Sequence, residues 1–172
     1  MKYLLLLFIS ASAFGQKNLD TVRLVSNKVK ILVPHELKPM SDVMWNLKYN
    51  NRPRPLLALG DDDAEVNFIG ELTKQPASED QLGSFKDFQI QYLKDKKPGL
   101  VILAEGVKSI NGRKVAYIKF LSNAIDQKIF NYMFFAIVEG KVMLFSFNCI
   151  EKLQKGWEPD ADEIMASLTV TS

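Results

Sequence analysis

The fold of this chain follows from residues 100–121, LVILAEGVKSINGRKVAYIKFL. Two runs rich in branched and aromatic residues flank Asn111-Gly112, the strongest short-range hairpin signal because both turn positions need a positive φ. Residues 128–150, KIFNYMFFAIVEGKVMLFSFNCI, repeat this arrangement around Glu139-Gly140-Lys141. Two successive hairpins predict a mainly antiparallel sheet. Residues 130–138 are apolar at nearly every position, which predicts a central strand covered on both faces.

A long helix is predicted immediately before the first hairpin. Ser78 and Gln81 fit a capping box, in which the two side chains bind free backbone N–H groups at the helix start. Apolar residues then recur at helical spacing as far as Pro98-Gly99, which ends the segment. These residues are Leu82, Phe85, Phe88, Tyr92 and Leu93. We expect the apolar side of this helix to pack against the sheet.

The remaining elements are shorter. Apolar residues predict a strand pair in Thr21–Val33 and two further strands in Leu56–Leu59 and Glu65–Thr73. Ser41 suits the N-cap of a short helix whose apolar residues follow at helical spacing. Pro159 suits the first turn of a closing helix, after which we expect only a short tail.

The first sixteen residues differ from the rest of the chain. A positive charge near the start is followed by the apolar run Leu4–Ile9 and by Ala11-Ser12-Ala13, the small-residue pattern that signal peptidase accepts. The sequence therefore predicts a signal peptide over residues 1–16. Cleavage falls after Ala13 or nearer Gln16, and we expect a soluble exported protein, either periplasmic or secreted.

Residues 17–172 are predicted to form one domain, an α+β sandwich of a mainly antiparallel sheet flanked by α-helices. A chain of about 150 residues buries about 68–70% of its unfolded surface, enough for one core without a disulfide. Cys149 is the only cysteine, so neither an internal disulfide nor a lipid anchor at the cleavage point is expected. The apolar stretch Phe130–Ile150 is interrupted by Glu139-Gly140-Lys141, so we expect no membrane span.

The charge balance excludes nucleic acid as the expected partner. The formal net charge is +2, and removal of residues 1–16 takes out Lys2 and no acidic residue, which leaves +1. Nucleic-acid-binding domains instead gather Lys and Arg into a dominant basic surface. The oligomeric state is not indicated by any pattern in the sequence.

The order of these elements resembles the PsbP-like family, whose fold is shared with a small Ran-binding protein of nuclear import. The resemblance lies in the helix and loop Met40–Pro55, the strand Ala64–Thr73, the helix after Ser78, the hairpin at Asn111-Gly112 and the closing helix Trp157–Leu168. It implies an antiparallel sheet flanked by helices. No binding motif of the photosystem members is matched residue by residue, so only the fold is carried over.

The residues that catalysis requires are sparse. A Cys–His pair would have to join Cys149 to His35, the only histidine, yet Cys149 shares an alternating face with Phe145 and Phe147 and is expected to be buried and inert. One Cys and one His cannot supply an ordinary zinc site. No glycine-rich phosphate loop and no Gly-x-Ser-x-Gly motif is present. We therefore expect neither a catalytic residue nor a cofactor.

The acidic stretch Asp61-Asp62-Asp63 invites a calcium hypothesis. Asp61, Asp63 and Glu65 have the spacing that begins an EF-hand loop, but Val66 stands where glycine is required and the twelfth position has no Glu. A solvated acidic turn between two strands is the alternative.

Trp45, Arg52 and Arg54 are the candidate binding residues. Trp and Arg are enriched at binding hot spots, and loops carry function more often than scaffold elements do. In the alternative interpretation, Trp45 packs the short helix on the sheet and both arginines are solvated. The sequence favours an accessory module that binds an envelope or extracellular protein. A small-molecule or lipid carrier, or an unrecognised hydrolase, is the competing class.

Overall fold

The computed structural model describes residues 18–50, 52–124 and 126–171. The expected signal peptide, residues 1–16, lies outside the described residues. No helix in the described part of the chain is long and apolar enough to cross a membrane. The elements are β1 (Leu19–Leu24), β2 (Val29–Pro34), β3 (Lys38–Pro39), α1 (Asp42–Tyr49), β4 (Leu57–Gly60), β5 (Val66–Pro76), α2 (Leu82–Lys96), β6 (Val101–Ile110), β7 (Arg113–Asn123), β8 (Lys128–Val138), β9 (Lys141–Ile150), α3 (Gln154–Ser167) and β10 (Thr169–Val170).

The strands form two antiparallel sheets. The large sheet has the order β3-β4-β5-β9-β8-β7-β6, and the small sheet has the order β1-β2-β10. Every pairing between neighbouring strands is antiparallel. In the described ranges three α-helices pack on these sheets, so the predicted α+β sandwich with a mainly antiparallel sheet is confirmed.

Both predicted hairpins form, and their turn residues have the required left-handed backbone. Asn111 and Gly112 have φ angles of 47° and 80°, and Glu139 and Gly140 have φ angles of 50° and 70°. Lys141 pairs with Val138 as the first residue of β9, so the second turn contains two residues where the sequence analysis allowed three. These local turns set the register of β6 to β9.

Strand β8 lies inside the large sheet, and other layers of the fold cover both of its faces. Phe134 is fully buried and its ring centroid lies 4.9 Å from that of Phe145 on β9. Phe68 on β5 stacks on Phe145 at 5.7 Å. On the opposite face, Phe135 meets Phe85 of α2 edge to face at 5.1 Å. The prediction of a doubly covered strand is confirmed.

The two faces of the large sheet carry different layers. α3 and the small sheet pack on the face that contains Phe134, whereas α2 packs on the face that contains Phe135. Ile69 of β5 pairs with Ser146 of β9, which in turn pairs with Met133 of β8, and cross-strand partners share a face. Met133 packs with the α2 cluster and Ile69 packs with α1, so α1 and α2 cover the same face side by side.

The long helix begins one turn later than its capping signal. The backbone N–H of Ser78 donates to Gln81 Oε1 at 3.0 Å, as expected for the Gln half of a capping box. The residues Glu79–Gln81 form a 3-10 turn, and the α-helix begins at Leu82.

Two expectations at the end of the chain were wrong. α3 begins at Gln154, so Pro159 lies inside the helix and not in its first turn. The proline removes one helical hydrogen bond, but Ala161, Ile164 and Met165 are buried in the core and hold the helix in place. The expected tail forms strand β10, which pairs with Val29 and Lys30 of β2.

A buried lysine anchors α3 to the sheet. Lys119 Nζ lies 2.8 Å from Glu158 Oε1 and 2.9 Å from Asp162 Oδ2, and 4.7 Å from the ring centroid of Tyr132. Burial alone would lower the pKa of Lys119, but hydrogen bonds to both carboxylates raise it above its ordinary value. Burial alone would raise the pKa of Glu158, but Lys119 and Gln154 hold it below its ordinary value.

This anchor predicts a stability difference that depends on pH. The raised pKa of Lys119 adds stability that is complete below pH 10.5 and is lost as the pH rises through the folded-state value. The lowered pKa of Glu158 adds stability that is present above pH 4.5 and is lost as the pH falls through its folded-state value. We expect Lys119→Met to lower the urea midpoint of unfolding at neutral pH. The difference in midpoint between this variant and the unsubstituted protein should become smaller below pH 4.5 and above pH 10.5.

The matched control is Lys128→Met, because Lys128 pairs with Glu151 at 3.8 Å on the surface. Exposed ion pairs contribute little, so this control should keep the unsubstituted midpoint. If the difference in urea midpoint between Lys119→Met and the unsubstituted protein is the same at every pH, the ion pairs of Lys119 do not stabilise the packing of α3 on the sheet.

Candidate functional site

α1 is a short helix whose two ends are fixed by the residues that flank it. The Ser41 hydroxyl accepts a hydrogen bond from the Met44 backbone N–H at 3.1 Å, which confirms its predicted role as N-cap. Asn50 follows the helix in a left-handed conformation with φ 51°, a conformation that Asn tolerates better than most residues. The helix is therefore set at a defined position between β3 and β4.

Trp45 is the anchor of α1. Its side chain is 6% exposed and packs with Met40 and Ala58. Its ring stacks on that of Tyr49 at 4.3 Å, and its indole N–H donates to the Arg52 carbonyl at 2.8 Å. Trp45 thus joins the helix both to the sheet and to the loop that follows.

The two arginines of this loop have different surroundings. One Nη of Arg54 lies 2.7 Å from Asp42 Oδ1, and the other donates to the Met40 carbonyl. The Arg54 guanidinium carbon lies 5.9 Å from the Trp45 ring centroid. Arg52 is exposed and makes no ion pair within the described ranges. The structure thus brings all three predicted binding residues together, with Trp45 buried beneath the loop and both arginines at the surface.

Sequence reasoning missed the most exposed apolar residues of this region. Val43 and Leu47 are each 80% exposed and lie one helical turn apart, on the same side of α1. Their spacing supported the prediction of a helix, but in so short a helix it does not indicate which side is buried. We name Val43 and Leu47 together the α1 surface.

A cavity of about 220 Å³ lies between the loop after α1 and the large sheet. It is lined by Trp45, Tyr49, Arg52, Pro53, Pro55, Ile69, Glu71, Ser146 and Asn148. Burial raises the pKa of Tyr49, and Asn148 lies near enough to offset part of that effect. The buried Tyr49 hydroxyl nevertheless forms no hydrogen bond of ordinary geometry with a described residue. We name this space the loop cavity.

A second, more apolar groove lies at the other helix of the same sheet face. It has a volume of about 440 Å³ and lies between the end of β5 and the start of α2. Phe85 and Phe88 line it together with Pro76 and Ala77, and Phe88 is 64% exposed. Its position matches the space between helix and sheet that a carrier would use.

The acidic stretch forms the turn between β4 and β5. Asp61 Oδ1 accepts from the Val66 backbone N–H at 2.9 Å, and Glu65 Oε1 lies 3.3 Å from Lys152 Nζ. The Lys48 ammonium donates to the carbonyl of Ala64. No three His, Cys, Asp or Glu side chains of the described chain are grouped so that they could hold a metal ion. The calcium hypothesis for Asp61, Asp63 and Glu65 gains no support from this geometry.

His35 and Cys149 do not form a reactive pair. His35 Nδ1 lies 2.8 Å from Asp20 Oδ2 at the surface. Cys149 is completely buried, as the sequence predicts, and burial raises the pKa of its thiol to about 12. A protonated, inaccessible thiol cannot serve as a nucleophile.

The described residues have the PsbP-like fold, the α+β sandwich that is also the fold of the Ran-binding protein Mog1p. The resemblance inferred from the sequence is confirmed at this level. No family model matches the sequence, and no curated protein matches it either.

Three solved structures carry this conclusion. Cyanobacterial PsbP from Synechocystis matches with a TM-score of 0.63 and 11% identity, over 94% of this chain and 98% of that chain. The Ran-binding protein Mog1p of Saccharomyces cerevisiae matches with a TM-score of 0.60 and 12% identity, over 90% and 96%. LpqN of Mycobacterium tuberculosis, described as involved in cell envelope biogenesis, matches with a TM-score of 0.60 and 12% identity, over 90% and 91%. At these identities the likeness concerns the fold alone.

Proposed function

We propose that this protein is an exported accessory module that binds a protein partner of the cell envelope through the α1 surface. Val43 and Leu47 would form the apolar centre of the contact, and Arg52 and Arg54 its polar edge. Trp45 would hold the helix and the loop in a fixed relative position. No catalytic step is assigned to the protein.

The observation that carries this proposal is the exposure of Val43 and Leu47 on a helix whose position is fixed. Surface apolar residues that occur singly need no explanation, but two on one side of a short helix expose a continuous apolar surface. Interfaces commonly combine an apolar centre with a polar rim in which Arg is enriched. Among the structural neighbours, Mog1p is named a Ran-binding protein, and LpqN is described as involved in cell envelope biogenesis.

The test is capture of partners with the double variant Val43→Ser, Leu47→Ser. Burial of one Val or Leu side chain contributes about 1.5–3 kcal/mol. Loss of both should weaken binding by about tenfold or more. The measurement is quantitative mass spectrometry after brief crosslinking of tagged protein in the envelope of its native cell. We expect one dominant envelope protein with the unsubstituted chain and its depletion with the double variant.

The matched control is Tyr92→Ser, which removes an exposed aromatic side chain from the outer side of α2. This control should capture the same partner in the same amount. Equal capture by the double variant and the control would refute the α1 surface as the interface.

Carriage of an apolar small molecule is the second candidate, and the groove at Phe85 and Phe88 is the observation that favours it. Its volume of about 440 Å³ falls within the range of small-molecule sites. Native mass spectrometry of protein purified from its own cells distinguishes the two functions. A bound lipid or other uncharged apolar molecule would favour the carrier, and its absence would favour the partner-binding module.

A further inference from the structure

The loop cavity contains charged and polar groups that the fold does not use. Glu71 and Arg52 both line it, and neither makes an ion pair with another described residue. The Ser146 hydroxyl likewise has no hydrogen-bond partner in the described part of the chain. Asn148 uses its side-chain oxygen to accept from Asn67 at 3.0 Å, and its side-chain N–H groups lie beside the Tyr49 hydroxyl, whose pKa burial raises and these groups lower in part. The cavity therefore presents one anion, one cation and several neutral hydrogen-bonding groups.

Strand register places these groups close to one another. Ser146 pairs directly with Ile69, and Glu71 is two residues further along β5. Ser146 and Glu71 therefore share a face as diagonal neighbours, about 7–8 Å apart. Asn148 continues the same row on β9, opposite Asn67. The floor is thus built on two paired strands inside the large sheet, which are rigid elements.

The walls supply apolar surface. Pro53, Pro55 and Ile69 contribute apolar surface to the lining, as do the stacked rings of Trp45 and Tyr49. The Tyr49 hydroxyl is buried here without a hydrogen bond of ordinary geometry to a described residue. Asn148 faces this hydroxyl with N–H donors only, so the Tyr49 O–H lacks an acceptor, and a ligand that supplies one would gain from it.

We propose that the loop cavity binds a small zwitterion of the α-amino-acid class with an apolar side chain. Glu71 receives the ammonium group and Arg52 the carboxylate. Ser146, Asn148 and Tyr49 bind the remaining polar edge, and the side chain lies against Ile69 and the two prolines. A volume of about 220 Å³ suits one such residue and not a lipid. This proposal shares Arg52 with the polar edge of the proposed partner contact, but it requires neither Val43 nor Leu47.

The experiment is titration of the folded protein with L-leucine, N-acetyl-L-leucine and L-leucinamide, followed by two-dimensional amide NMR. The acetyl derivative lacks the ammonium and the amide lacks the carboxylate. We expect leucine to shift the backbone signals of Ser146 and Asn148 in a saturable manner. Each derivative should bind about tenfold or more weakly, because hydrogen bonds to charged groups are among the stronger ones.

Two variants complete the test. Glu71→Gln changes an exposed side chain, so the fold should be retained. It should weaken binding of leucine and leave binding of N-acetyl-L-leucine, which has no ammonium, unchanged. Phe88→Ser alters the other groove and should leave leucine binding unchanged.

The proposal is overturned if leucine produces no saturable shifts at Ser146 and Asn148, or if all three compounds bind equally well. Partner capture through the α1 surface is measured separately, so failure of one proposal does not imply failure of the other.

Discussion

Trp45→Ala is expected to destabilise the protein and to release α1 from the sheet. Truncation of a buried Trp or Phe costs about 3–5 kcal/mol. Here the change also removes the stack on Tyr49 and the hydrogen bond to the Arg52 carbonyl, so the loop after α1 loses its attachment together with the helix. Urea unfolding measures the stability loss. Relative to the unsubstituted protein, the alanine variant should show a larger increase in amide hydrogen exchange over α1 than over β6 to β9.

Trp45→Phe is the matched variant for this result. It keeps an aromatic ring in the site but removes the indole N–H, so the Arg52 carbonyl loses its donor. Loss of one such bond costs about 1 kcal/mol, and we expect an intermediate stability. If the alanine variant unfolds at the same urea concentration as the unsubstituted protein, Trp45 does not anchor the site.

Phe134→Ala is expected to produce the other large effect. Phe134 is fully buried at the centre of β8 and stacks on Phe145, which in turn stacks on Phe68. The cavity left by the missing ring cannot close, because strands on both sides hold the neighbouring backbone in register. A loss of about 3–5 kcal/mol lowers the melting temperature by roughly 6–20 °C in a domain of this size.

The control for this prediction is Phe88→Ala, which truncates the same residue type at an exposed position of α2. Surface substitutions of this kind usually change stability by about 0.5 kcal/mol or less. Similar melting temperatures for the two variants would contradict the assignment of Phe134 to the central core.

The sequence predicted the elements whose formation depends on local chemistry. Asn111-Gly112 specifies a tight turn, and Gly140 favours the second one, because these positions require the left-handed region and Gly and Asn tolerate it best. Ser41 similarly specifies the start of α1 through its own side chain. Such signals act within a few residues, so they can be interpreted without reference to the rest of the fold.

Features that depend on distant pairings could not be predicted. β10 contains two residues, and its strand character comes only from its pairing with Val29 and Lys30 near the other end of the chain. Pro159 was assigned from its preference for a first turn, but tertiary packing extends α3 on its N-terminal side. Local propensity therefore predicts the elements and not all of their limits.

In the candidate site, too, some residues could be predicted from local sequence and others depend on contacts between distant parts of the chain. Trp45, Arg52 and Arg54 are close in sequence, and their residue types alone suggested a binding role. Glu71 and Ser146 are far apart in the chain and meet only through the pairing of β5 with β9. The outward direction of Val43 and Leu47 follows from burial of Trp45 in the same helix. No short sequence motif encodes the proximity of Glu71 to Ser146 or the exposure of Val43 and Leu47.

Site-specific photocrosslinking tests directly whether the α1 surface contacts an envelope protein. A photoreactive amino acid is placed at Leu47, and in a second protein at Tyr92, and each is irradiated in the envelope of its native cell. We expect one dominant protein adduct from position 47 and none of that adduct from position 92. Absence of any protein adduct from position 47, or the same adduct from both positions, would contradict this contact.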